Sequence, residues 1–145
     1  MGTTSKITRV QLKVNQGFES VLLGIVSAEP DYKLSLTLNR KLKIALKNVS
    51  PVTIPGNNPE IIFSRFSDTT TSPGLICELV SNRSGKNVLL KKLRNIDYIF
   101  QVYDPENETD IVEITASIRN TDHITAVFNL DPGAIKDKNL QYLTH

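Results

Sequence analysis

Residues that build catalytic and metal sites are scarce in this sequence. The single cysteine, Cys77, excludes a disulfide within the chain, which is typical of proteins from reducing compartments. The two histidines, His123 and His145, lack the spacing of metal-ligand motifs. Cys77 itself lies in an alternating apolar pattern, where a thiol behaves as a small buried side chain. We therefore predict no metal site, no cofactor and no catalytic residue.

Long apolar segments are missing as well. The longest apolar run, 21–26, is far shorter than the roughly 18 residues needed to cross a bilayer. The first residues contain no apolar stretch followed by a cleavage site, so no export signal is visible. These features favour a cytoplasmic protein without a membrane partner.

The charges are sorted by sign along the chain, although the formal net charge is only +2. Residues 33–47 and 83–94 each contain five basic and no acidic residues, whereas 97–113 contains six acidic and no basic residues. The first basic block falls mostly on the outer face of a predicted helix and is interpreted as solvated surface. The sequence does not identify a partner, but the opposite blocks and the exposed strand edges of an open sheet favour a homodimer.

Apolar periodicity predicts the elements of the first half of the chain. Alternation in 7–14 and the continuous run 21–26 predict two strands that pair as a hairpin. Residues 30–46 follow the period of a helix. Three prolines and a glycine in 50–59 predict a loop.

The second half continues with strands separated by turn residues. The predicted strands are 61–66, 75–80, 96–103 and 124–130, with a turn at 81–86. A second helix is expected to be capped by Asn107 or Thr109 and to end near Asn120. The order ββαβββαβ predicts a single α+β domain over 1–145, with two helices on a mostly antiparallel sheet of about five or six strands. We expect 1–5 and 134–145 to be loosely ordered tails.

Several short stretches resemble one protein family. They are 22–27, 31–34, 38–42, 79–83 and 95–98. Together they are similar to the IPExxVDY family of small bacterial proteins, over about residues 20 to 130. Lys91, Lys92 and Leu93 stand where the Ile-Pro-Glu of the family name falls. The resemblance implies a small cytoplasmic protein in which Asp31-Tyr32 and Asp97-Tyr98 match the two Asp-Tyr pairs of the family, and it implies no mechanism.

Two functions follow from the residues. The chain has no recognisable nucleophile–base pair, metal cluster or phosphate loop, so we predict a non-enzymatic binding or protein-interaction domain. The alternative is an RNA-binding module that uses the basic segment 83–94, with Tyr98 and Phe100 nearby. RNA binding ranks second because the alternation in 96–103 places both rings in the core, where they cannot stack on bases.

The candidate binding residues fall into two groups, the Asp-Tyr pairs with Asn82 and the basic segment. They are Asp31, Tyr32, Asn82, Lys86, Lys91, Lys92, Arg94, Asp97 and Tyr98. Asp97 interrupts an apolar strand and is interpreted mainly as a structural side chain that hydrogen-bonds to a turn. An enzyme with a site around Asp97 is a third alternative, favoured if Asn82, Asp97 and Tyr98 line one deep pocket.

Overall fold

The computed structural model describes residues 20–56 and 59–143, so the strand predicted over 7–14 and the N-terminal tail lie outside the described residues. The strands are β1 Ser20–Val26, β2 Lys47–Ile54, β3 Ile61–Asp68, β4 Ile76–Ser81, β5 Arg83–Ser84, β6 Asn87–Val88, β7 Tyr98–Tyr103 and β8 Ala126–Leu130. The helices are α1 Asp31–Leu42, α2 Ile111–Arg119, α3 Pro132–Ile135 and a 3₁₀ helix Lys138–Leu143. None of the helices in the described ranges is both long enough and apolar enough to span a membrane.

Six strands form one sheet in the order β2-β3-β4-β7-β1-β8, and every neighbouring pair is antiparallel. β5 and β6 form a separate two-stranded hairpin. The predicted α+β class with a mostly antiparallel sheet is confirmed. β3 and β4 pair as the predicted hairpin. β1 pairs with β7 on one side and with β8 on the other, which leaves it no free edge for the hairpin predicted with 7–14.

Side chains alternate between the two faces of the sheet, and each face has its own core. On one side, called the helix face, α1 and α2 bury Leu34, Leu38 and Ile118 against strand residues such as Phe100. On the other side, called the loop face, strand residues pack against the loop between β6 and β7 and against the C-terminal segment. This second core is Leu22, Val52, Phe63, Val80, Leu89, Leu90, Ile96, Ile99 and Leu143.

The prediction of a loop over 50–59 is wrong for its first half, because β2 continues through Ile54. Its pairing with β3 shifts register between Val49 and Val52, and Arg65 donates a hydrogen bond from Nε to the carbonyl of Ser50 at 2.9 Å. Proline is tolerated on edge strands and at bulges, and β2 provides both. The prolines therefore mark an irregular edge strand rather than a break.

Both predicted helices are shorter than the sequence suggests. α1 ends at Leu42 instead of 46, because Lys43 adopts a left-handed conformation with φ 58°. Asn39 then fixes the chain that leaves the helix, accepting from the Leu46 N–H at 2.7 Å and donating to the Leu46 carbonyl at 3.2 Å. The cap of α2 is Asp110, which accepts from the Glu113 N–H at 3.1 Å, rather than either residue predicted.

The C-terminal segment differs most from expectation. A loosely ordered tail was expected over 134–145, yet the described residues 134–143 pack against the loop face. Ile135 and Leu143 are buried, and the Asn139 side chain donates to the Leu89 carbonyl at 2.8 Å. Apolar residues spaced along this segment complete the second core. No local sequence pattern predicts this packing.

Candidate functional site

Asp97 joins the ends of three strands. Its Oδ2 accepts from the Ser27 N–H at 2.9 Å, and its Oδ1 accepts from Arg83 Nε at 2.7 Å in an ion pair. Its backbone N–H donates to Ile25 and its carbonyl accepts from Asn82, both at 2.9 Å. Because both carboxylate oxygens are engaged, Asp97 holds the chain after β1 and β4 in place.

Asn82 organises the long loop between β4 and β7. Its side chain is fully buried; Oδ1 accepts from the Leu90 N–H at 2.9 Å, and Nδ2 donates to the carbonyls of Leu93 and Ile96 at 2.9 Å each. Its backbone carbonyl also accepts from the Leu89 N–H at 2.9 Å. A fully buried amide with all these hydrogen bonds cannot reach a ligand. Asn82, although predicted as a binding candidate, is therefore a structural residue.

The Asp-Tyr pairs lie near the start of α1. Tyr98 donates from its hydroxyl to the Glu29 carbonyl at 2.5 Å, and burial, together with the charges of Asp31, Asp97 and Glu29, raises its pKa to about 12. Asp31 accepts the Tyr32 N–H at 2.7 Å, and the ring of Tyr32 is 55% exposed. Tyr98 is therefore a protonated structural donor, whereas Tyr32 is surface.

An open cleft of about 520 Å³ lies beside these residues. Asp31, Tyr98 and Arg83 line it, together with exposed residues of β2 and β3, but Asn82 and Asp97 do not. The convergence of Asn82, Asp97 and Tyr98 in one deep pocket, which would favour an enzyme, is not found there.

Cys77 and Asp68 are the other buried reactive side chains of the helix face. Cys77 is 4% exposed; burial, with the charges of Asp68 and Asp104, raises its pKa to about 12, so the thiol is neutral. Burial alone would raise the pKa of Asp68, but hydrogen bonds from Thr71, Thr70 and Ala45 hold it well below its usual range. Both groups stabilise the interior. Within the described ranges, no three His, Cys, Asp or Glu side chains are placed to hold a metal ion.

The basic segment forms a different kind of site. Four cationic side chains surround a cavity of about 600 Å³ at the end of the β2–β3 hairpin, and we call it the basic cavity. Its lining is Ile54, Pro55, Gly56, Ile61, Phe63, Lys86, Asn87, Val88, Lys91, Arg94, Lys138 and Asn139. The floor is apolar: Ile54 and Ile61 are partly exposed there and Phe63 and Val88 are buried beneath them, while the four cations are exposed at the rim.

Turn geometry and hydrogen bonds fix the backbone near the cations. Lys86 lies in the β5–β6 turn, after Gly85 in a left-handed conformation with φ 60°. Asp137 ties the loop to the C-terminal segment, because its Oδ2 accepts from the Lys91 N–H at 2.8 Å and its Oδ1 accepts from the Asn139 N–H at 2.9 Å. The carbonyl of Arg94 accepts a hydrogen bond from the Arg83 guanidinium. The backbone that carries the rim cations is thus held by the same bonds that fold the loop.

The basic cavity has one sign of charge. Among residues 20–56 and 59–143 no carboxylate lines it, and none of its four cations pairs with an acidic side chain. The nearby carboxylate of Asp137 is already bound to two backbone N–H groups. In the part of the chain that the structure describes, no exposed aromatic ring lines the cavity either, because Phe63 is 2% exposed and Tyr98 and Phe100 are buried on the helix face. The cavity therefore suits an anionic group with an apolar portion.

The structure brings together three of the predicted residues, Lys86, Lys91 and Arg94, and adds Lys138. Lys92 is exposed next to them but does not line the cavity. The three were recognisable because they are close in sequence. Lys138 was missed because it lies far along the chain in a segment expected to be loose.

Comparison of the chain with protein-family models, curated proteins and solved structures finds no match. The resemblance to the IPExxVDY family stays a prediction, and function is inferred from the side chains and cavities of this chain.

Proposed function

We propose that this chain is a non-enzymatic, cytoplasmic protein-interaction domain that binds acidic segments of protein partners in the basic cavity. The observation that supports the proposal is the ring of Lys86, Lys91, Arg94 and Lys138 around an apolar floor. Carboxylates of a partner would meet the rim, and one apolar side chain between them would meet the floor.

Magnitudes favour weak, salt-sensitive binding. Exposed ion pairs contribute about 0.2–1 kcal/mol each, because water and salt screen them. Burying one aliphatic side chain on the floor adds roughly 1.5–3 kcal/mol. Neither contribution alone gives a stable complex, so a partner must combine negative charge with an apolar anchor. This requirement distinguishes an acidic protein segment, which can supply both features, from a purely anionic ligand, which supplies only the charge.

RNA binding through 83–94 is the second candidate, and the same four cations support it. Single-stranded nucleic acid, however, gains about 1–3 kcal/mol per base from stacking on aromatic rings. The nearby rings of Tyr98 and Phe100 are 7% and 0% exposed. RNA is therefore expected to bind this chain through phosphates alone, more weakly and with a steeper salt dependence than an acidic apolar peptide.

Fluorescence anisotropy tests the proposal with two labelled probes, a peptide of alternating glutamate and valine and an oligouridylate of equal charge. We expect the peptide to bind more tightly at physiological salt. Lys91→Glu/Arg94→Glu should weaken peptide binding by about tenfold or more, because it removes two rim cations and adds two repulsive charges. Lys33→Glu/Lys41→Glu is the matched control, since both lysines are exposed on α1 and neither lines the cavity.

Equal losses in the two double variants would mean that net charge, not the cavity, binds the peptide. Tighter binding of the oligouridylate that survives physiological salt would favour the RNA-binding alternative. Either result contradicts the proposal.

A further inference from the structure

The chain carries an acidic counterpart to its own basic cavity. Residues 104–113, called the acidic segment, connect β7 to α2 and contain five acidic and no basic residues. Four of the acidic side chains are exposed, namely Glu106, Glu108, Asp110 and Glu113. Val112 lies among them and is 79% exposed, the largest value among the exposed large apolar side chains of the described residues.

The acidic segment has the two features that the basic cavity requires of a partner. Four exposed carboxylates match four rim cations, and an apolar side chain stands free to meet the apolar floor. An exposed valine beside so many charges has no role in the core of its own molecule. Contact with a second molecule would remove this side chain from water.

The two surfaces lie at opposite corners of the molecule. Ile61 pairs with Ile54 at one end of the sheet, and the basic cavity lies there on the loop face. Tyr103 pairs with Ile76 at the other end, and the acidic segment follows Tyr103 onto the helix face, where Ile111 packs. One molecule therefore cannot place its acidic segment in its own cavity. A two-fold pair cannot fill both cavities at once either, because the two surfaces do not share a side.

We infer that the acidic segment of one copy docks in the basic cavity of the next, so that this chain assembles head to tail. The inference rests on the proposed function, since it names a second copy as the acidic protein partner. A heterologous contact of this kind does not close at two subunits. It produces linear assemblies that lengthen as the protein concentration rises. It replaces the self-complementary homodimer expected from the opposite charge blocks with an open-ended assembly.

Sedimentation velocity of the full chain tests the inference, at concentrations from micromolar to submillimolar and at low and high salt. At low salt the average sedimentation coefficient should rise with concentration, and high salt should suppress the rise. Lys91→Gln/Arg94→Gln and Glu108→Gln/Glu113→Gln should each weaken association by about tenfold or more. Mixed in equal amounts, the two variants retain one intact cavity and one intact acidic segment, so they should form a dimer that grows no further.

The single neutralisations Lys41→Gln and Asp122→Asn are controls, since both side chains are exposed and lie outside the two surfaces. They should associate like the unmodified chain. A chain that stays monomeric at submillimolar concentration and low salt would overturn the inference, as would variants that associate unchanged. If the chain stays monomeric but still binds the glutamate–valine peptide in the cavity, self-assembly alone fails; if the peptide does not bind, the proposed function fails too.

Discussion

Replacing Asn82 by alanine is expected to lower the free energy of unfolding by about 3–5 kcal/mol. The side chain makes three hydrogen bonds that hold the loop between β6 and β7, and two of them are fully buried. Each lost bond costs about 1–1.5 kcal/mol, and more where the former partner stays buried without water. Since small domains are stable by only about 5–15 kcal/mol, the loss is a large fraction of the total.

Urea denaturation followed by circular dichroism measures this loss through the shift in midpoint. The matched control is Asn95→Ala in the same loop, which removes an exposed asparagine and should change stability by less than about 0.5 kcal/mol. Asn82→Asp should also destabilise, because a carboxylate accepts from Leu90 but donates to neither carbonyl. A loss below about 1 kcal/mol for Asn82→Ala would refute the view that this amide organises the loop.

Three further predictions concern the interior. Hydrogen bonds outweigh burial and hold the pKa of Asp68 low in the folded state. The stability that the Asp68 carboxylate contributes is therefore complete above the unfolded-state pKa of about 4, and it is lost as the pH falls through the folded-state pKa. Asp68→Asn should destabilise at neutral pH and much less in strong acid; parallel pH profiles of urea stability would contradict this. Cys77, with its pKa raised to about 12, should react with a thiol reagent at mildly alkaline pH only after unfolding, so rapid labelling of the native chain would argue against burial. Gly24→Ala should lower the free energy of unfolding by about 1–3 kcal/mol, because the new Cβ would lie 2.9 Å from Ile96 Cδ1. Adding Ile96→Val removes that atom and should recover part of the lost stability. If the losses of the two substitutions simply add in the double variant, the clash is disproved.

Much of the sheet was predictable because periodicity reports burial. β1 and β7 are both rich in apolar residues since both faces of the sheet are covered, and Tyr98, Phe100 and Val102 of β7 share the helix face as their spacing predicts. β2 was missed because its strand character comes from pairing at a sheet edge, where Pro51 is tolerated. The packed C-terminal segment was missed because Leu143 and Asn139 find their partners only in the folded chain.

The candidate site was predictable only where it is local in sequence. Lys86, Lys91 and Arg94 stood out as a block of one charge, and the folded loop between β4 and β7 keeps them together. Asp97 was recognisable as a polar residue in a predicted apolar strand; in the structure it directly precedes β7, and its bonds to Ser27 and Arg83 explain it. Nothing local indicates that the block surrounds an apolar floor, because that floor comes from other strands.

The central claim, that the basic cavity is where an acidic partner binds, is tested most directly by mapping the site with heteronuclear NMR. The glutamate–valine peptide is titrated into isotope-labelled protein, and backbone amide shifts are followed residue by residue. The first basic block, 33–47, also carries five basic residues, on and after α1, and serves as an internal control. The largest shifts are predicted in 86–94 and at Lys138 and Asn139; shifts that are equal in 33–47, or larger there, would contradict the claim.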